Sequence, residues 1–212
     1  MLPDLIAPHN WRIVRLALRQ TQELSPVAGG AVTARDLGPA RWLMSAESAP
    51  MTHSEADAVM ADFGRLRGAL LTFIGHDVRR DTLASLDGDA PGQAALGAAS
   101  PVVQAVRADR AALSISGVPA GLVFSVGDRI GVTTGAGGYE YFRLLSGGVS
   151  DGGGVTPDLE VEPHVRAAVQ AGDTVTIQPA VLELRLMPGS LDDPRVSMLH
   201  RKVVFEAIQE IR

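Results

Sequence analysis

Along Trp11-Arg12-Ile13-Val14-Arg15-Leu16-Ala17-Leu18-Arg19, apolar and basic side chains nearly alternate, the pattern of a strand with one dry face and one wet face. The slip at Ile13-Val14 suits a β-bulge, which inserts one residue and then restores the phase. Turn formers fill Ser25 to Gly30. A second extended run, Ala40 to Ala49, places Trp42, Met44 and Ala46 on one face and Leu43, Ser45 and Glu47 on the other. The period then changes. Thr52-His53-Ser54-Glu55 fits a capping box, and Ala56, Val59, Met60, Phe63 and Leu66 recur at three- and four-residue steps. This predicts one helix, with Gly68 at its left-handed end. Ala69 to Ile74, closed by Gly75, reads as a short buried strand.

From Asp77 to about Pro101 neither period survives. Asp81, Asp87, Gly88, Asp89, Pro91 and Gly92 among alanines predict a long loop or arm over 77–100. The second half returns to strands and hairpins. Ala111 to Val118, Leu122 to Val126, Arg129 to Val132, Tyr139 to Leu145, Thr174 to Ile177 and Val181 to Leu186 are extended runs separated by glycine and proline. Two of them follow a Gly-Asp step, Gly127-Asp128 and Gly172-Asp173, where glycine supplies a positive φ before a strand. The tail from Val196 to Ile211 leans towards strand. The chain is therefore expected to be mainly β, with 1–76 and 101–212 in one unit and 111–190 a candidate second β subdomain.

The interior must be filled by small and aliphatic side chains, because only 4% of residues are aromatic while 46% are hydrophobic. A net charge of -5 speaks against a general nucleic-acid binder. Lys202 is the sole lysine, a bias that fits codon usage in a GC-rich genome more simply than an arginine-built site. The absence of cysteine excludes disulfides, thiolate nucleophiles and cysteine-held zinc. Met1-Leu2-Pro3-Asp4-Leu5 does not resemble a secretory signal, and no apolar run reaches ~18 residues. A soluble chain made in the cytoplasm is the expectation.

Candidate chemistry is sparse. His9, His53, His76, His164 and His200 lie far apart, without metal-ligand spacing. His76-Asp77 resembles a base with its orienting acid but lacks a nucleophile. Asp151-Gly152-Gly153-Gly154 lacks the Gly-Lys-[Ser/Thr] and the helix that a phosphate cradle requires. Asp87/Asp89 and Asp192/Asp193 are the closest carboxylate pairs, and they sit among turn formers. Trp11 and Trp42 could stack on sugars, yet each falls in phase with an apolar face. No catalytic, cofactor-binding or metal-binding residue is assigned, and the chain is expected not to be an enzyme.

The order of the pieces carries more. Ser25-Pro26 with Gly29-Gly30, then Ala40-Arg41-Trp42 opening a strand, the helix Ser54 to Arg67, and Leu66-Arg67-Gly68 before Phe73 resemble the N-terminal part of siphophage distal tail proteins. Gly127-Asp128, Tyr141-Phe142-Arg143, Asp151-Gly152, Val161-Glu162-Pro163 with His164-Val165-Arg166, Gly172-Asp173 and the Pro179-to-Leu186 strand are similar to tail-tip proteins of this kind. The resemblance implies a β-sandwich or split barrel with one flanking helix, akin to the tail-tube fold, plus a second antiparallel β region. It implies a hexameric ring of identical copies at the virion tail tip, joining the tube protein to the hub or baseplate. DNA would pass through the lumen without specific binding, and acidic residues are expected to dominate that wall. Two other readings stay open. One is a carbohydrate- or receptor-binding module using Tyr139 and Tyr141; the other is a glycan hydrolase using Asp87 and Asp89.

Overall fold

The computed structural model describes residues 2–26 and 29–211. The first two strands, β1 (Trp11–Pro26) and β2 (Val32–Ser48), form an antiparallel hairpin much longer than the alternation indicates. The expected bulge is present as a register shift between Trp11 and Ile13. Ser25 and Pro26, read as turn, still pair with Thr33 and Val32, while Val27 and Ala28 of the same expected turn lie outside the described residues.

A short β3 (Met51–Thr52) leads into α1 (His53–Gly64). The capping box forms as expected: the Glu55 amide donates to Thr52 Oγ1, and the Thr52 amide donates to Glu55 Oε2 at 2.8 Å. The helix ends earlier than Gly68, with Arg65 as its C-cap, and the chain reverses through Arg67 and Gly68, both at positive φ. Strand β4 covers only Thr72–Gly75; Leu70 and Leu71, expected inside, are exposed.

The expected loop at 77–100 is instead ordered structure. A 3-10 turn at Ala84–Leu86 precedes α2 (Ala90–Gly97), whose N-cap Asp89 accepts from the Gly92 amide at 3.2 Å. Leu83, Leu86 and Leu96 are buried in the barrel core described next, so this segment is packed against the barrel rather than an arm. Among alanines and glycines, three isolated leucines make no helical stripe, which is why the period vanished from the sequence.

The remaining strands are β5 (Val102–Val106), β6 (Ala112–Ser116), β7 (Val123–Phe124), β8 (Arg129–Thr133), β9 (Tyr139–Leu144), β10 (Gly148–Val149), β11 (Leu159–Glu162), β12 (Thr174–Thr176), β13 (Leu182–Leu186), β14 (His200–Arg201) and β15 (Val204–Gln209). Six of them close a barrel in the order β11-β6-β5-β12-β8-β9. Val103, Leu113, Ile115, Ile130, Val132, Phe142, Leu144 and Val175 fill it. Five others form an antiparallel sheet, β1-β2-β15-β13-β4, whose dry face packs on α1, where Trp11, Phe73 and Phe205 meet Phe63 of the helix. The molecule is mainly β, a sheet with a flanking helix joined to a closed barrel.

The two Gly-Asp steps are one turn used twice. Gly127 and Gly172 have φ of 90° and 92°. Asp128 accepts from the amide of Ser125 at 2.7 Å, and Asp173 from that of Gln170 at 2.8 Å, each closing its own turn. The second oxygen of each reaches a separate segment: Asp128 takes the Ala84 amide, and Asp173 the Gly135 amide. The strands that follow, β8 and β12, are ladder partners.

The crossing from barrel to sheet is tightest at Gly131. A Cβ there would lie 2.4 Å from Thr176 Oγ1 and 2.7 Å from the Val181 carbonyl oxygen. Gly131→Ala is expected to lower stability by about 1–3 kcal/mol, seen as a reduced denaturant midpoint at unchanged slope. Gly64→Ala, at an open helical site, is expected to be neutral or to stabilise by up to about 1 kcal/mol. Asp109, in the turn before β6, responds to pH. The Arg107 guanidinium, helped by the Ala111 amide, pulls its carboxyl down from 3.8 to about 2. A depressed carboxyl adds stability above its ordinary value and loses it as pH falls through the folded-state value. Asp109→Asn is therefore expected to flatten the acid limb of the pH–stability curve between those two values.

Candidate functional site

The five-stranded sheet treats its two edges differently. At the β4 edge the N-terminal segment lies alongside: Asp4 bridges Ile74 in parallel, and the Ile74 amide donates to the Pro3 carbonyl at 2.8 Å. At the other edge β1, sixteen residues long, has β2 as its sole ladder partner among the described residues. From Arg19 to Pro26 and from Val32 to Pro39 the hairpin is exposed along both strands. A long open strand edge offers unpaired amides and carbonyls to another chain. Gly38 and Pro39 in β2 are the weak ladder positions typical of such an arm.

The arm stands away from its own barrel. A groove of about 600 Å3 separates its root, at Leu18, Gln20 and Pro39, from β11 and the Pro163–Arg166 segment. Charged groups along the groove are matched within the molecule. Asp36 accepts from Gln22, Glu162 pairs with Arg143, and Glu160 lies 3.7 Å from Arg107. Arg166 pairs with Glu140, whose carboxyl is pushed up by burial and pulled back by that guanidinium. On the outward face of the sheet Arg19 stands directly opposite Arg41, with no carboxylate within ion-pair distance of either among the described residues.

The hairpin is fixed at its root by the joint between sheet and barrel. Trp42 is fully buried; its indole Nε1–H donates to the Tyr141 carbonyl at 2.8 Å, and the two rings meet edge to face at 5.4 Å. Arg129 and Arg143 approach the same indole, with guanidinium carbons 5.8 and 6.0 Å from its centroid, close enough for cation–π attraction. Burial drives the Tyr141 hydroxyl above its usual pKa and Arg129 below its own.

The other singled-out residues are accounted for locally. Tyr141 belongs to this joint and Tyr139 is half-buried, so the two offer no exposed aromatic platform. Trp11 packs edge to face on Phe205 and Phe63. Asp77 is buried and accepts from the Arg79 amide and guanidinium, closing a turn; it makes no hydrogen bond to His76. Asp151 accepts from the amides of Gly153 and Val155, so the glycine loop is an Asx turn that consumes its own donors. Asp89 caps α2, Asp87 is exposed, Asp192 accepts from the next amide, and Asp193 pairs with Arg201. Among the described residues no group of three or more His, Asp or Glu side chains could hold a metal. Nor is any described helix long and apolar enough to cross a membrane.

The arm itself escaped the sequence reading because Thr21 to Pro26 and Thr33 to Gly38 do not alternate. A signal did exist. Counting outward from Gly29, Glu23 meets Arg35 and Gln22 meets Asp36 across the strands, a complementary polar pairing.

Trp42→Phe is expected to cost about 1–3 kcal/mol, because the Tyr141 carbonyl loses its donor in a dry joint. Equilibrium denaturation measures it; an unchanged midpoint would show that the joint does not depend on that bond. No protein-family model and no curated protein matches the chain.

Proposed function

We propose that this protein is a structural ring subunit of the tail tip of a bacteriophage or phage-like particle, a distal tail protein joining the tail tube to the hub or baseplate. The observation that carries this reading is the open β1 edge, prolonged into an exposed hairpin while the opposite edge is covered. An uncovered edge of that length is an aggregation hazard unless another chain pairs with it, and a ring of identical copies satisfies every such edge at once. The mainly β architecture with one helix on the sheet fits the expected tail-tube-like fold, and the motif order described for the sequence supplies the rest of the support. In this reading DNA passes through the lumen without specific contacts. The wall it passes is expected to be acidic, which leaves the Arg19–Arg41 side of the sheet at subunit contacts rather than in the bore.

The glycan-binding alternative is weakened by the burial of Tyr141, and the hydrolase alternative by the capping role of Asp89.

Negative-stain imaging tests the assembly. The intact protein is expected to form rings with an axial opening. Replacing residues 21–38 by a two-residue turn is expected to leave a folded monomer that still unfolds in one cooperative thermal transition. Rings that persist without the hairpin would remove the open edge as their basis.

A further inference from the structure

Two surface patches of opposite sign stay unneutralised within the molecule. The first is on the hairpin. None of its arginines, Arg12, Arg15, Arg19, Arg35 and Arg41, has a carboxylate within ion-pair distance among the described residues, whereas seven arginines elsewhere do. Arg19 and Arg41 are the extreme case, because they stand directly opposite one another across β1 and β2. Like charges so placed destabilise a strand pair unless something neutralises them. The two side chains wall a hollow of about 370 Å3, which Gln20, Thr21, Gln22 and Ile208 complete. It opens on the outward face of the sheet, since Trp42, the next residue along, points the other way into the joint with the barrel.

The second patch is on the barrel, where three carboxylates share one guanidinium. Arg107 Nε donates to Asp109 at 2.8 Å, and its Nη1 lies 3.7 Å from Glu160. Asp158 has no cation within ion-pair distance among the described residues. The bond to Asp109 and the fields of Glu160 and Asp158 hold Arg107 above its ordinary pKa, so the three acids act on the same group. The acids are exposed and their backbone is fixed. Asp109 also accepts from the Ala111 amide at 3.0 Å, Glu160 faces Ala112 in the β11–β6 ladder, and the Glu160 amide donates to Ser146 Oγ at 2.8 Å. Glu160 lines the groove beneath the arm together with Leu18 of the arm's inner side. The sheet thus lies between the two patches, and the arm cannot turn Arg19 and Arg41 onto the Glu160 of its own chain.

We infer that the Arg19–Arg41 hollow of one copy receives the Asp158–Glu160 patch of the next. The two surfaces differ and lie on opposite sides of one arm, so the contact is head-to-tail, the kind that propagates into a ring or a filament. A two-fold contact of the hollow with itself would set four guanidiniums together without a carboxylate, a like-charge arrangement that suppresses pairing. This inference rests on the ring reading and names a contact within it.

A charge swap on the intact chain tests it. Arg19→Glu with Arg41→Glu makes both patches acidic; Asp158→Lys with Glu160→Lys makes both basic. Each pure variant is expected to raise the concentration for half-assembly, read by light scattering, about ten-fold or more. Mixed in equal amounts, every hollow can meet a patch of opposite sign. Assembly is then expected to return, with native mass spectrometry showing the two variants in equal numbers in each particle. One cooperative thermal transition checks the fold of each; where a double variant lacks it, Arg19→Glu alone is mixed with Asp158→Lys alone. Pure variants that assemble as readily as the unaltered chain overturn the inference, and so does a mixture that assembles no better than its components. Either result beside rings of the unaltered chain leaves the ring standing and removes this contact. Restored oligomers of alternating variants that never close keep the contact and remove the ring. An unaltered chain that stays monomeric at every concentration removes both.

Discussion

The Trp42 indole sits where the sheet meets the barrel, its N–H given to the Tyr141 carbonyl and its ring held edge-on to Tyr141 between two guanidiniums. Burying an indole without a partner for its N–H is costly, so its position is set by a backbone atom of β9 rather than by shape alone. That single bond ties β2, the strand that continues into the exposed hairpin, to a strand of the closed barrel. Gly131 permits the same approach from the other side, because the chain returning at Val181 passes where any side chain would stand. The arm is therefore projected from a fixed root.

A fixed root matters because the sheet is asymmetric. Its β4 edge is covered by the chain's own N-terminal residues, while its β1 edge is bare and prolonged. A bare edge on a loosely hinged unit would pair indiscriminately, whereas one held at a set angle to a rigid barrel can favour a single rotation between copies.

Much of this was legible in the residues. The alternation of Trp42, Met44 and Ala46, the bulge near Ile13 and the Thr52–Glu55 capping box each declare themselves within a few positions, because short-range backbone geometry dictates them. The twin Gly-Asp turns were visible as glycine followed by a strand. Their aspartates reach Ala84 and Gly135, and such long-range partners leave no local trace. The 77–100 segment was misread for a related reason: Leu83, Leu86 and Leu96 are buried by a barrel formed later in the chain, not by any stripe of their own. Leu70 and Leu71 erred in the opposite direction. An apolar run looks buried in sequence, and only the fold leaves these two at the surface.

Native mass spectrometry of the purified protein puts the assembly to its most direct measurement. A closed ring gives one discrete multiple of the 22.2 kDa subunit mass that persists on dilution. A 22.2 kDa monomer at every concentration, or an open-ended series of masses, would contradict it.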